Sequence, residues 1–214
     1  MSDHHPLYRL IAEGEHQQQD FKYKVTDAAK LAKSVSAFAN TAGGRLLIGV
    51  RDDGHVSGVR SEEEIYMMRS AAGDFCRPAA DIDFETFLVE GRTVVIATVA
   101  ESVNKPVCAL SEEGKWRAYI RVADENIVAS PVHLRIWRND LAAQGQLISI
   151  GDEETRVIQI LEKGQPLTVS QVARHSGVNR HRVIVILAKL VRFGLADCRL
   201  DSHWLFTSPA PSCR

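Results

Sequence analysis

The chain has 214 residues, enough for one large domain or two small ones. Apolar residues make up 45% and charged residues 25%, which argues against extended disorder, and the longest apolar runs, such as 94–100, are far too short to span a bilayer. The net charge of −1 is uneven: after residue 150, nine Lys and Arg stand against six Asp and Glu, a net +3 that leaves −4 for the rest, so a basic C-terminal module on an acidic body points to an anionic ligand.

In chain order, a first helix is expected after Asp3, with Pro6 in its first turn, Leu7, Leu10 and Ile11 on one face, and an end near Gly14. Residues 18–25 alternate. Phe21, Tyr23 and Val25 share one side and Asp20, Lys22 and Lys24 the other, which predicts a half-buried strand with a charged outer face. Asp27 is placed to cap a helix through Asn40, whose Leu31, Ala32, Val35, Phe38 and Ala39 recur at helical spacing. Gly43-Gly44 ends it and can take positive φ, and Asn40 is expected to tie the helix end to that turn. The run 45–50 is nearly all apolar, as a central strand buried on both faces requires. Asp52-Asp53-Gly54 reads as a turn into a short strand at 55–59, followed by a helix over 61–75 with Glu62, Glu63 and Glu64 in its first turn. Strands at 83–89 and 93–99 flank Glu90-Gly91 as a hairpin, and 107–110 pairs with 116–122.

Beyond 151 the pattern changes to three helices and a hairpin. Asp152 is expected to cap the first helix, Thr168 and Gln171 have capping-box spacing for the second, and Asn179 caps the third, which stops at Gly194. Residues 195–200 and 203–207 then pair across Asp201-Ser202. The expected division is 1–140, a linker at 141–151, 152–208 and a tail at 209–214. The N-terminus lacks a signal-peptide pattern, so a cytoplasmic protein without a membrane partner is expected. The four cysteines are scattered and the histidines lack ligand spacing, so neither disulfides nor a zinc site is expected.

Several segments in order carry a family resemblance: Glu15, then Asp20-Phe21-Lys22; Ser36-Ala37-Phe38-Ala39-Asn40-Thr41-Ala42-Gly43-Gly44; Leu47-Ile48-Gly49-Val50 with Asp52-Asp53-Gly54; Lys105-Pro106; and Tyr119-Ile120-Arg121-Val122 with Asn126 and Ala129. This order resembles the Schlafen AlbA-2 domain over roughly 8–135, and the C-terminal module resembles a winged helix-turn-helix by its element order. The fold class so implied is α+β: a mixed-sheet AlbA-like, Schlafen-core domain followed by a small winged-helix domain.

The resemblance implies two kinds of site. Catalytic Schlafens use a carboxylate trio for metal-dependent RNA cleavage; carried over, Glu15, Asp20 and Asp52 or Asp53 would hold Mg2+ or Mn2+, with Lys22 on phosphate. Asp20 stands where the family favours glutamate, and Arg51 where catalytic members have an acid. Solvated turn and edge charges account for the same residues, and no cofactor is expected outside this nuclease reading. No Gly-x-x-x-x-Gly-Lys-Ser/Thr loop occurs, so ATP is not expected.

The second kind is a nucleic-acid surface. Lys22, Lys24, Lys30 and Lys33 form a candidate basic strip. In a helix-turn-helix, the first turn of the third helix, here Arg180, His181 and Arg182, meets base edges or phosphates. Arg174 and Lys189 would add backbone contacts and Arg199 or His203 would set a wing. The expected function is therefore a dimeric, bacterial-type DNA-binding transcription regulator, with RNA as the other nucleic-acid partner. A metal-dependent endoribonuclease and a protein-binding scaffold are the alternatives.

Overall fold

A computed structural model describes residues 6–140 and 149–209. Its contacts divide the chain into two compact units, Met1–Ala129 and Ser130–Arg214.

The first unit runs α1 (Pro6–Ala12), β1 (Gln19–Lys22), α2 (Ala28–Asn40), β2 (Gly44–Ile48), α3 (Ser61–Gly73), β3 (Cys76–Arg77), β4 (Ile82–Val89), β5 (Arg92–Val99), β6 (Cys108–Leu110), β7 (Trp116–Val122) and β8 (Glu125–Val128). One sheet has the order β1-β2-β5-β4, with β1 parallel to β2 and the other pairs antiparallel; the second, all antiparallel, has the order β3-β6-β7-β8. Helix α2 is buried around most of its circumference because its residues pack with strands of both sheets in one apolar cluster. The first sheet is covered on its other face by α1, through Leu7, Phe21, Leu47 and Ile96. Two-sided cover explains the unbroken apolar run of β2, whose Leu46, Leu47 and Ile48 are fully buried.

Polar side chains of α2 reach the second sheet. Ser36 Oγ donates to the Val107 carbonyl at 2.8 Å and accepts from Tyr119 N–H at 3.0 Å. The Asn40 amide donates to the Val107 and Tyr119 carbonyls at 2.8 and 2.9 Å and accepts from Val107 N–H at 2.8 Å. Asn40 thus ties helix to sheet, and the expected link to the following turn gives way to these longer-range bonds. Gly43 and Gly44 make the turn: Gly43 has φ +67°, and a Cβ on Gly44 would lie 2.3 Å from the Phe38 ring. Asp27 caps α2 as expected, accepting from Ala29 N–H at 2.9 Å and Lys30 N–H at 3.3 Å.

Two expected strands are shorter in the structure, and two short ones are added. The strand expected at 18–25 ends at Lys22, and the one at 55–59 reduces to a single bridge, Val50 to Val56. The short β3 and β8 lie outside the expected strands.

The second unit consists of α4 (Pro131–Asp140), α5 (Asp152–Leu161), α6 (Val169–Ser176), α7 (Arg180–Arg192) and a hairpin of β9 (Asp197–Leu200) and β10 (Trp204–Thr207). Its core joins Val132 of α4 to Val157, Leu161, Val172, Val183, Ile186, Leu187 and Phe206. Because α4 packs on α7, the division falls after Ala129, eleven residues before the expected end of the first domain at 140. Most of the expected linker, 141–148, lies outside the described residues, as do Asp3 and most of the tail. Thr168 and Gln171 form the expected capping box, with Thr168 Oγ1 accepting from Gln171 N–H at 3.3 Å and Gln171 Oε1 accepting from Thr168 N–H at 2.8 Å. Gly151, not Asp152, is the N-cap of α5; the Glu154 carboxylate reaches back to its N–H at 3.3 Å. A bridge from Leu167 to Phe206 ties the hairpin to the segment before α6. No helix among the described residues is long and apolar enough to cross a membrane.

Candidate functional sites

The charged residues around β1 form the first site. Asp20 is 4% exposed, not on an outer face, since β7 carries Arg121, itself 1% exposed, onto it. Lys22 Nζ lies 2.7 Å from Asp20 Oδ2 and Arg121 Nη2 3.4 Å from Oδ1. Arg121 also donates to Asn126 Oδ1 at 3.0 Å and to the Gln19 carbonyl at 3.2 Å, and its guanidinium lies over the Phe38 ring. Its Nε is buried without a partner among the described residues.

Glu15 accepts from the Phe21 N–H at 2.9 Å and shares a hydrogen bond with Asp20. Burial first, then that hydrogen bond, raises the Glu15 carboxyl above its ordinary value, against the pull of the Phe21 N–H and Lys22. Burial alone would raise Asp20 as well. The hydrogen bond from Glu15 and the charges of Lys22 and Arg121 outweigh it and hold Asp20 below the ordinary value. Of the pair, Glu15 is therefore the carboxyl that takes up a proton first as pH falls, and Asp20 is the one that keeps its charge longer.

Asp52 and Asp53 do not join this pair. Asp20 is level with Leu46, whereas both aspartates sit in the exposed turn past the end of β2, where Asp53 Oδ1 accepts from His55 N–H at 2.9 Å. Of the expected basic strip, Lys22 is bound to Asp20 and Lys33 lies 3.9 Å from Glu112, while Lys24 and Lys30 are exposed.

In the second unit, Asn179 Oδ1 accepts from His181 N–H at 2.8 Å and starts α7 directly after a Gly177-Val178-Asn179 turn. Arg180 and His181 are exposed there, with no ion pair or side-chain hydrogen bond among the described residues, and the same holds for Arg174 on α6 and Arg199 on β9. His203 is exposed beside the Ser202 carbonyl. Arg182 and Lys189 are engaged elsewhere. Arg182 Nε donates to Glu153 Oε2 at 2.8 Å and its Nη2 to Glu154 Oε1 at 3.3 Å, while Lys189 Nζ lies 3.4 Å from Glu154 and also donates to the Ser149 carbonyl. Glu154 is buried, which would raise its carboxyl; a backbone N–H, Lys189 and Arg182 together hold it below the ordinary value. These two cations fasten α7 to the start of α5.

Sequence reasoning missed a second cluster in this unit. The His133 ring lies 4.4 Å from the Trp204 ring, edge-on, and 6.1 Å from Trp137; its Nδ1 is 2.8 Å from Ser130 Oγ and its Nε2 3.9 Å from Cys198 Sγ. Burial pushes the imidazole from 6.5 down to about 4 and the Cys198 thiol up to about 12, so neither is charged near neutrality. No spacing signal marks the cluster, because α4 and the hairpin that build it are about 65 residues apart. Among the described residues, Cys76, Cys108 and Cys198 form no disulfide.

A family model described as Schlafen, AlbA_2 matches residues 15–130. The chain belongs to this family. The match starts at Glu15, spans the β1 cluster and ends at the division between the two units. Similar solved structures include the DIP2311 protein of Corynebacterium diphtheriae, 20% identical with a TM-score of 0.45, over 69% of this chain and 30% of that one. Another is the N-terminal domain of a putative ATP-dependent DNA helicase RecG-related protein of Nitrosomonas europaea, 20% identical with a TM-score of 0.39, over 67% of this chain and 92% of that one. The chain thus spans less than a third of the C. diphtheriae protein. No curated protein matches it.

For this member of the Schlafen AlbA_2 family, the donor set around Glu15 does not fit the divalent cation that the resemblance implies. Such an ion needs free carboxylate oxygens. Both oxygens of Asp20 already face cations, Glu15 Oε1 is taken by the Phe21 N–H, and among the described residues no three His, Cys, Asp or Glu side chains gather around one point.

Proposed function

We propose that this Schlafen AlbA_2 protein is a nucleic-acid-binding regulator whose second unit is a winged helix-turn-helix that contacts duplex DNA. The carrying observation is the first turn of α7, where Arg180 and His181 are exposed and unpaired immediately after the Asn179 cap. Helices α6 and α7 flank a three-residue turn, as a helix-turn-helix requires, and the second helix of such a pair presents its first turn to the major groove. An arginine there suits a guanine edge or a phosphate. Arg174 and Arg199 add free positive charge on α6 and on the hairpin, which acts as the wing. Arg182 and Lys189 are left out of the interface, because Glu153 and Glu154 already hold them.

One recognition helix offers few contacts, so two copies on two-fold related half-sites are proposed. The Glu15–Asp20–Arg121 cluster acts here as structure, binding β1 to β7. The test is a footprint on DNA selected from a random library: a two-fold symmetric protected site supports the reading. Absence of duplex binding even at low salt would favour a protein-binding scaffold instead.

A further inference from the structure

We propose a second nucleic-acid site on the first unit: an open track over the 57–67 segment that binds single-stranded DNA or RNA by stacking a base on Tyr23. Three adjoining hollows make the track. The first is lined by Ser57, Gly58, Arg60 and Arg92, the second by Gly58, Arg60, Tyr23 and Lys24, and the third by Val25, Glu63, Tyr66 and Met67. They share Gly58 and Arg60 at one junction and Glu63 at the next, so they follow one another along a single path.

Its chemistry is that of a strand reader. Tyr23 and Tyr66 are 52% and 72% exposed, large ring areas that the core does not use. The Arg51 guanidinium lies over one face of the Tyr23 ring, 4.9 Å from its centre, so a base would stack on the opposite face. Lys24 is exposed without an ion pair among the described residues, and Arg60 and Arg92 line the path beyond it. Cations that follow a backbone, with aromatic faces beside them, are how sequence-tolerant single-strand binders work. A duplex cannot use such a site, because its base faces are already stacked on each other.

Three acids border the track and decide its polarity. Glu64 lines the second hollow but is mostly buried, its Oε2 accepting from Val25 N–H at 3.0 Å. Glu63 lies 3.5 Å from Arg60, and Glu62 is exposed beside Tyr66. The phosphates therefore follow the Arg92–Arg60–Lys24 stretch, with Tyr23 as the principal stacking face. Gly58 keeps the track open where it adjoins Arg92: its φ is +74°, and a Cβ would stand 2.9 Å from the Arg92 Cβ. This site is independent of duplex contact by α7.

The test is fluorescence anisotropy of the whole two-unit chain with labelled oligo(dT), oligo(rU) and a DNA hairpin, at low and physiological salt. Tyr23→Ala is expected to weaken oligo(dT) and oligo(rU) binding about tenfold, within the range one stacked base supplies. Tyr23→Phe is expected to retain it, and Lys24→Ala to weaken it with a shallower salt dependence. Glu63→Gln releases Arg60 and is expected to strengthen it. Hairpin binding should be unchanged in all four variants, whereas Arg180→Ala with His181→Ala should lower hairpin binding and leave the single strands alone. Single-strand binding that is absent at low salt, or is the same in Tyr23→Ala and Glu63→Gln as in the unaltered chain, overturns the proposal, whatever the hairpin does.

Discussion

Replacing Asp20 by asparagine removes one negative charge and almost no volume. The carboxylate is 4% exposed and faces Lys22 at 2.7 Å and Arg121 at 3.4 Å, while Arg121 is 1% exposed and has one nitrogen already without a partner. Asp20→Asn therefore strands a buried guanidinium, a type of loss that costs about 3–5 kcal/mol. The amide oxygen still accepts one bond and Lys22 can turn to water, so the lower end, about 3 kcal/mol, is expected. For a unit of this size that is on the order of 10 °C in Tm. The assay is urea and thermal unfolding, with hydrogen exchange at β1 and β7 to locate the loss. The sign is diagnostic. If Asp20 and Glu15 were two charged carboxylates waiting for a cation, neutralising one would relieve repulsion and stabilise the protein. Unchanged or increased stability would contradict the pairing of Asp20 with Arg121 and Lys22. The pH dependence follows from the same bonds: Asp20 is held below its ordinary value, so its stabilisation is present above the unfolded-state value and is lost as pH falls through the folded one. Glu15, raised, acts oppositely, and its contribution is lost as pH rises through its folded value. In Asp20→Asn the acid-side loss should vanish, and Glu15 should titrate lower by carboxyl NMR.

Asn40→Ala leaves the Val107 N–H and the Tyr119 carbonyl without this partner in a buried core, and about 2–5 kcal/mol is expected to be lost in urea unfolding. Asn40→Asp, which sets a carboxylate against the Val107 and Tyr119 carbonyls, should not recover this. His133, pushed down to about 4 from 6.5, stays neutral in the folded second unit while the unfolded chain takes up a proton below about 6.5. Its contribution is present above that range and falls by about 3 kcal/mol on going down to pH 4, an acid sensitivity that His133→Phe should flatten in pH-dependent melts. Arg182→Ala breaks the bonds to Glu153 and Glu154 and should lower the second unit's Tm while changing duplex affinity little.

Much of the fold was legible because local rules and tertiary packing agreed. The caps at Asp27, Thr168 and Asn179 and the apolar run of β2 each had one reading. The alternation at 18–25 misled, because it reports faces only while a strand continues. The strand stops at Lys22, and Asp20 is turned inward onto an arginine about one hundred residues away. The α4 helix was missed, because its face is covered by α7 and its next residues fall in a stretch of weak periodicity. For the sites, residue type and position on α7 identified the basic turn, but nothing in the sequence separates the free Arg180 from Arg182, whose partners lie almost thirty residues upstream. The Tyr23–Lys24 surface was hidden for a related reason: periodicity assigned Tyr23 to the core side, yet it is half exposed once the strand has ended.

The most direct test of duplex contact by α7 is the DNA affinity of the whole chain across a salt series, comparing Arg180→Ala/His181→Ala with Arg182→Ala. Salt-sensitive binding is expected, which the double variant loses by at least tenfold and Arg182→Ala largely keeps. Equal binding by the double variant, or greater loss in Arg182→Ala, would contradict it.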